Sequence, residues 1–387
     1  MFHRNKIWII AGEASGDAYG ADLARQLRIQ EPEVILQGMG SALMRQAGVE
    51  IFTDSTELGV VGFWEVLQSI PFFYRLLKET VERAKQERPD AVVLIDYPGY
   101  NLRLAQRLHG LGIRVVWYIS PQVWAWKKGR IPKLAACVDR MLCIFPFEPA
   151  VYAGSGLDAR FVGHPLLEQL APWRQRHCPR DEKQVVLLPG SRTSEIQRLL
   201  PVFLQTAAQM HAQRPDLHFS MPLARQSSLT QVQAMIEGLN LPADFLAALD
   251  ITVGDARDKM ANSIAGLAAS GTVTVEATLL GLPVVVAYRL NWLTWQIASL
   301  MIKLPHVSIT NIVTNRVVFE EFLQYRATPE NLVPATLALL PGGKRRQEVL
   351  EGMHDCEIAL QGGEGRGGQG GIGEEVARQV LEIVSVT

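Results

Sequence analysis

The chain has 387 residues, 48% hydrophobic and 20% charged, a composition that builds buried cores and excludes a disordered or collagen-like polymer. At this length two or three domains are expected. Lys+Arg 38 against Asp+Glu 39 leaves a formal net charge of -1, without the basic excess of a nucleic-acid binder, so no nucleic-acid partner is expected.

The N-terminal apolar run 7–10 stops at Gly12-Glu13 instead of continuing to a cleavage site, and reads as a first buried strand, not an export signal. Further short apolar runs at 34–36, 91–95, 115–119 and 141–145 suit parallel strands buried on both faces. Helical patterns at 20–30, 63–78 and 102–108 lie between them, the alternation of a doubly wound sheet. A second series at 185–188, 218–222, 264–269 and 284–288 repeats the scheme, so two Rossmann-like domains are expected, residues 1–165 and 166–345, with the joint near Gly163-His164-Pro165. Residues 346–387 form a C-terminal segment: eight glycines within 361–373 make a flexible linker, and the amphipathic stretch 374–384 after it is a final helix that docks elsewhere.

Cys137, Cys143, Cys178 and Cys356 form no CxxC pair and have no histidine at zinc-ligand spacing, which signals reduced, cytosolic thiols with neither a disulfide framework nor a metal site. No apolar stretch reaches the roughly 20 residues of a bilayer span. The nearest, 292–304, is interrupted by Lys303.

Ligands of doubly wound folds bind outside the carboxyl ends of the strands, so loops there carry the chemistry. The first strand runs into Gly12-Glu13-Ala14-Ser15-Gly16-Asp17, a small-residue loop opening a helix; it either receives an anion or sugar, or is a tight turn capped by Ser15 or Asp17. It is not GxGxxG, and the next strand lacks the acidic residue that grips a nucleotide ribose, which disfavours a nicotinamide cofactor. Asp96, at the end of 91–95 and before Pro98, stands where a general base or a loop brace would stand. Trp124 and Trp126 beside Lys127, Lys128 and Arg130 are either a sugar-stacking, phosphate-attracting loop or packing indoles next to a solvated basic turn.

In the second half, Pro189-Gly190-Ser191-Arg192 is a glycine turn into a helix start: Ser191 and Arg192 either bind a diphosphate or Arg192 pairs with Glu195 on the surface. GxxxxGK[ST] is missing, which excludes a P-loop. Ser270-Gly271-Thr272 opens another helix with Glu276 one turn inside, an arrangement offering donors to phosphates and a carboxylate to ribose hydroxyls. The aromatic stripe 61–77, with Phe63, Trp64, Leu67, Phe72 and Phe73, is either a buried core face or a membrane-surface helix.

In this order the segments 11–17 (AGEASGD), 95–98 (IDYP), 123–126 (VWAW), 163–165 (GHP), 188–192 (LPGSR) and 269–272 (ASGT) closely resemble the lipid A disaccharide synthase family over nearly the whole chain. That resemblance implies a GT-B type fold, two Rossmann-like domains with a cleft between them and a last helix returning to the first domain or to a partner subunit. It implies an inverting glycosyltransferase joining UDP-2,3-diacylglucosamine to 2,3-diacylglucosamine 1-phosphate (lipid X), with UDP released and a β-1,6-linked disaccharide formed. By the same resemblance Asp96 is the base and Arg192 offsets the leaving diphosphate. Ser270, Gly271, Thr272 and Glu276 form the UDP element, Asn311 lies in the later nucleotide-side loop, and Gly12–Asp17 help hold the substrates. No cofactor and no metal are implied. A peripheral position on the cytoplasmic face of the inner membrane, with 61–77 docking, and a homodimer with exchanged C-terminal segments are implied as well. The chain departs from the family pattern at Gly99-Tyr100, where Asp-Phe is usual, and at Thr310, where proline is usual. The rivals are another UDP-sugar enzyme of the same fold, such as a soluble-acceptor transferase or a UDP-N-acetylglucosamine 2-epimerase, and a non-catalytic UDP-sugar-binding protein.

Overall fold

A computed structural model describes residues 4–58, 63–176, 179–291, 295–296, 305–362 and 371–385, with side chains 57–58 and 63–70 outside the description. The chain divides into two compact units, Met1–Pro165 with Leu360–Thr387, and Leu166–Ala359.

The first unit is built on seven parallel strands, β1 (Lys6–Ala11), β2 (Ile35–Gly40), β3 (Glu50–Asp54), β4 (Ala91–Ile95), β5 (Arg114–Tyr118), β6 (Arg140–Cys143) and β7 (Asp158–Phe161), in the order β3-β2-β1-β4-β5-β6-β7. The chain winds outward from β1 to β3 and then returns to place β4 on the other side of β1, so the switch in winding direction falls between β1 and β4. Every residue of β4 is buried, as continuous Val/Ile/Leu runs covered on both faces require. One face packs Trp8, Val92, Leu94 and Trp117 against Leu76, Leu104 and Leu108. The crossovers include α1 (Ala14–Gln30), the short α2 (Ala42–Gln46), α3 (Phe63–Glu87), α4 (Pro98–His109) and α5 (Glu148–Tyr152).

The second unit has six strands, β8 (Asp181–Leu188), β9 (His218–Leu223), β10 (Leu249–Val253), β11 (Ser263–Ala269), β12 (Val284–Tyr288) and β13 (Glu321–Leu323), in the order β10-β9-β8-β11-β12-β13. Here the winding reverses between β8 and β11. The helices that matter below are α6 (Thr193–Gln213), α7 (Thr272–Leu279), α8 (Ile309–Thr314) and α9 (Arg346–Leu360).

Helix α10 (Ile372–Ser385) packs on α1 of the first unit and buries Ile372, Val376, Ala377, Val380 and Val384. Through it Gln379 and Glu382 accept hydrogen bonds from Arg140 of β6 and Arg160 of β7. Residues 346–359 belong to the second unit, so the part that leaves it is shorter than the sequence segment 346–387. The backbone N–H of His164 meets the carbonyl of Leu360 at 2.9 Å, where the chain re-enters the first unit. The sequence reading passed over β3, β7, β10 and β13, short edge strands with half-buried, partly polar residues that lack a continuous apolar run. Among the described residues no helix is long and apolar enough to cross a membrane.

Candidate active site

Pairing of Ala11 with Ile95 sets the loop after β1 beside the loop after β4 at the switch point of the first sheet. Gly12 is buried because the Tyr97 ring lies on it: a Cβ there would stand 2.6 Å from the ring. Asp96 and Tyr97 both adopt the left-handed backbone region, φ 44° and 47°, a conformation that costs about 1–3 kcal/mol per non-glycine residue and concentrates at functional sites. Asn101, fully buried in α4, holds this turn by donating to the carbonyls of Asp96 (2.7 Å) and Ile95 (3.2 Å). Burial raises the Asp96 carboxyl to about 6, the nearby Glu13 carboxylate adds to the rise, and a hydrogen bond from the Tyr97 backbone opposes it. Glu13 and Ser15 are exposed on the same loop, and Gly16 packs against Ala11 and Ile95.

Asp17 corrects the sequence reading. It is buried, and its carboxylate accepts hydrogen bonds from the Ser41 backbone (2.5 Å) and hydroxyl (2.6 Å) and from the Leu43 backbone (3.0 Å). It caps α2, its oxygens are already bound, and neither it nor Ser15 caps α1, which begins at Ala14 after Glu13. Trp124 is a second correction: its indole is 8% exposed, packs edge-on to Phe147 and donates to Glu148 at 3.2 Å, so it offers no face to a sugar. Trp126 is the exposed indole of that loop, at 45%, and Lys127 Nζ sits 3.8 Å over its ring. Glu148, which the sequence reading missed, also accepts from the Ile144 and Phe145 backbones, each at 3.1 Å; burial lifts its carboxyl to about 7 against these bonds. His164 is buried against Phe145 and held neutral by desolvation, unsuited to proton transfer at the surface.

In the second unit, pairing of Leu188 with Ala268 brings the loops after β8 and β11 side by side. Gly190 takes φ 108°, and a Cβ there would fall 2.5 Å from the Glu195 carboxylate. That carboxylate accepts from the backbones of Ser191 (3.2 Å) and Arg192 (3.3 Å) and from the Arg192 guanidinium (3.1 Å), so an internal anion fills the N–H nest at the start of α6. Arg192 pairs with Glu195 and is 79% exposed at the same time, leaving its remaining donors in solvent. Gly271 and Thr272 are exposed at the start of α7. The Ser270 hydroxyl donates to the Val307 carbonyl at 2.8 Å. Glu276 is paired with Arg257, whose Nε and Nη2 both lie 3.0 Å from one carboxylate oxygen; Arg257 carries no local motif and was missed.

Asn311 is the third correction. It is fully buried, its oxygen accepts from the Val318 and Phe319 backbones, and its amide donates to the Phe319 carbonyl and to Glu321. It folds the loop 307–321 and has no donor or acceptor left for a nucleotide. Thr310 likewise does structural work where the family usually has proline, bonding the Thr278 hydroxyl at 2.8 Å. On α3, Phe72 is 36% exposed, whereas Phe73 turns inward beside the Tyr97 ring and the first-unit core. The side chains of Phe63, Trp64 and Leu67, and most of 292–304, lie outside the described residues.

Two parallel sheets, each with its loops gathered at a winding switch, form two Rossmann-like domains of the GT-B type. The fold is similar to that of a UDP-N-acetylglucosamine 2-epimerase from Neisseria meningitidis solved with UDP-GlcNAc (TM-score 0.66, 12% identity, 99% of this chain and 100% of that chain) and of the kitacinnamycin glycosyltransferase (TM-score 0.64, 13% identity, 98% and 99%). The family described as lipid-A-disaccharide synthetase matches residues 7–363. The chain is 37% identical to the lipid-A-disaccharide synthase of Myxococcus xanthus over 99% of both chains, and 38% identical to that of Nitrosococcus oceani over 92% of both. It belongs to the lipid-A-disaccharide synthase family and is a UDP-sugar-dependent glycosyltransferase of lipid A biosynthesis.

Proposed function

We propose that the chain transfers 2,3-diacylglucosamine from its UDP derivative to the 6-hydroxyl of 2,3-diacylglucosamine 1-phosphate (lipid X). Asp96 takes the proton from the 6-hydroxyl as that oxygen forms a bond to the donor's anomeric carbon. The bond from the same carbon to the UDP oxygen breaks, its electron pair leaves with the diphosphate, and attack opposite the leaving group gives the β-1,6 linkage. The free donors of the exposed Arg192 guanidinium, the Ser191 hydroxyl and the N–H of Thr272 offset the charge that develops on the diphosphate. Glu276 accepts from the ribose hydroxyls, and Glu13, Ser15 and the Gly12–Gly16 backbone line the acceptor side.

The observation that carries the reading is Asp96 itself. A carboxylate at a sheet's winding switch, on a strained turn and raised to about 6, is ionised at neutral pH yet basic enough to take a proton. Acylated substrates require access to a lipid surface, and α3 supplies an aromatic and basic face: Phe72 and Tyr74 are exposed beside Arg75 and Lys78. That face supports a peripheral position, which the reading places at the cytoplasmic face of the inner membrane. Exchange of C-terminal segments in a homodimer would seat α10 on a partner's α1 in the way it sits on its own.

Purified protein incubated in detergent with UDP-2,3-diacylglucosamine and lipid X is expected to release UDP and form the disaccharide 1-phosphate. No release above a heat-killed control, with both substrates verified, overturns the reading. Conversion of UDP-N-acetylglucosamine without an acceptor would replace it with the epimerase reading.

A further inference from the structure

The loop that follows β5 carries cations that the reaction described above does not use. It stands next to the Asp96 turn in the sheet: Ile95 pairs with Tyr118, and the pairing runs on to the Asp96 backbone, which donates to the Tyr118 carbonyl at 3.1 Å. Lys127 and Lys128 are exposed and Arg130 is partly so. None of the three forms an ion pair with a carboxylate among the described residues. Desolvation, and after it the charge of the Arg130 guanidinium, lowers the Lys127 ammonium below its usual range. An anion bound at this loop would be attracted by both cations and would screen the repulsion between them.

The loop is held in that state from beneath. Trp124 is anchored to Glu148, and Glu148 is tied to the end of β6 through the Ile144 and Phe145 backbones. The Ser120 hydroxyl lies 2.7 Å from that of Tyr152, which fixes the other end of the loop to α5. Lys127 adopts a left-handed backbone, φ 66°, with its ammonium over the exposed Trp126 ring. An indole face beside clustered cations matches a sugar ring that carries a phosphate: the ring stacks, and the phosphate meets the charges.

We propose that Trp126, Lys127 and Arg130 form the subsite for the sugar-borne phosphomonoester of the acceptor, and so decide that the enzyme uses a phosphorylated acceptor. This rests on the reading that the acceptor is a glucosamine 1-phosphate. It extends that reading by assigning the phosphate to a loop other than that of Arg192, whose guanidinium serves the donor's diphosphate. The charge on these residues sets acceptor affinity and leaves the chemical step to Asp96.

The experiment compares wild type with the surface variants Lys127→Gln/Arg130→Gln and Arg130→Lys, using lipid X and the same diacylglucosamine lacking the 1-phosphate. The double variant is expected to raise KM for lipid X about tenfold with kcat within about twofold, and to use both acceptors with equal kcat/KM. Arg130→Lys keeps the charge and is expected to retain most of the preference for the phosphate. KM for the UDP-sugar should not change. If the double variant discriminates between the two acceptors as wild type does, the assignment is overturned. A loss of binding to phosphatidylglycerol vesicles with the acceptor preference unchanged also overturns it, because the cations would then serve bilayer headgroups. Absence of wild-type turnover with lipid X overturns the underlying reading instead, which separates the two failures.

Discussion

The Tyr97 ring rests on the α-carbon of Gly12, with no room for even a methyl group between them. Through this contact the loop after β1 fixes the turn that carries Asp96, since Tyr97 follows Asp96 and shares its left-handed backbone. Gly12→Ala is expected to push the ring toward Phe73 and Tyr100, its neighbours at 6.4 and 6.3 Å, and to displace the carboxylate. Overpacking of this kind costs about 1–3 kcal/mol of stability, and misplacing a reacting group lowers kcat about a hundredfold. Thermal denaturation and steady-state kinetics check both. Trimming the ring in Gly12→Ala/Tyr97→Leu should recover stability, and failure to do so would refute the contact as the cause.

Asp96→Asn is expected to lower kcat by about 10²–10⁴-fold with UDP affinity unchanged. In wild type, kcat/KM should fall as pH drops below about 6, where Asp96 takes up its proton. Glu13 is one cause of the raised value, so Glu13→Gln should move this acidic limb to lower pH. Stability has the opposite sense from activity. A carboxyl raised in the folded state destabilises the fold when ionised, so wild type loses stability as pH rises from about 4 to about 6, by up to about 3 kcal/mol for a two-unit shift. Asn escapes that loss, and Asp96→Asn should therefore be the more stable protein at pH 7.5 and equal to wild type near pH 3.5. Denaturant titrations at the two pH values test the sign.

Glu276 is held by Arg257 through two donors on one oxygen, a geometry that orients the carboxylate. Arg257→Ala is expected to weaken UDP binding about tenfold, and Arg257→Lys to recover only part of it, because an ammonium lacks the planar fork. Calorimetric titration with UDP reads this directly. Arg257→Ala combined with Glu276→Gln should be little worse than Glu276→Gln alone, as residues acting through one another are not additive. Unchanged affinity in Arg257→Ala would remove it from the nucleotide site.

The parts of this molecule legible in its sequence are those governed by local rules. Continuous apolar runs identified the central strands, 91–95 and 284–288 to the residue, and the strand-end loops located Asp96 and Arg192. What stayed hidden depends on partners distant in the chain. Asp17 belongs to a sequence segment of ligand-like composition, but it lies in the first turn of α1, where Ser41, Leu43 and Met44, brought near by the β1–β2 pairing, take its oxygens. Asn311 and Trp124 have the chemistry of ligands and spend it internally, on the 318–319 backbone and on Glu148. Arg257 became visible only once folding placed it against Glu276. A polar residue in a motif is thus evidence of an important position, and only its hydrogen-bond partners separate a brace from a ligand.

The docking of α10 offers a test of how the C-terminal helix is held. Arg140 is 7% exposed and donates to Asp158 (2.8 Å), to Gln379 (2.9 Å) and to Glu382 (2.9 Å), while Asp158 and Glu382 stay more than a third exposed. The two sides of this pair are therefore unequal. Arg140→Met removes the buried charge and leaves carboxylates that water and Arg160 still serve, so the expected loss is about 1 kcal/mol. Gln379→Leu/Glu382→Leu instead leaves a buried guanidinium with only Asp158 and the Gln379 backbone carbonyl (3.0 Å), and the expected loss is about 3 kcal/mol. Urea denaturation of the two variants should rank them in that order, and the second should expose α10 to proteolysis near the glycine-rich linker first. The reverse ranking would mean that the apolar stripe of Val376, Val380 and Val384 holds the helix and the ion pairs add nothing.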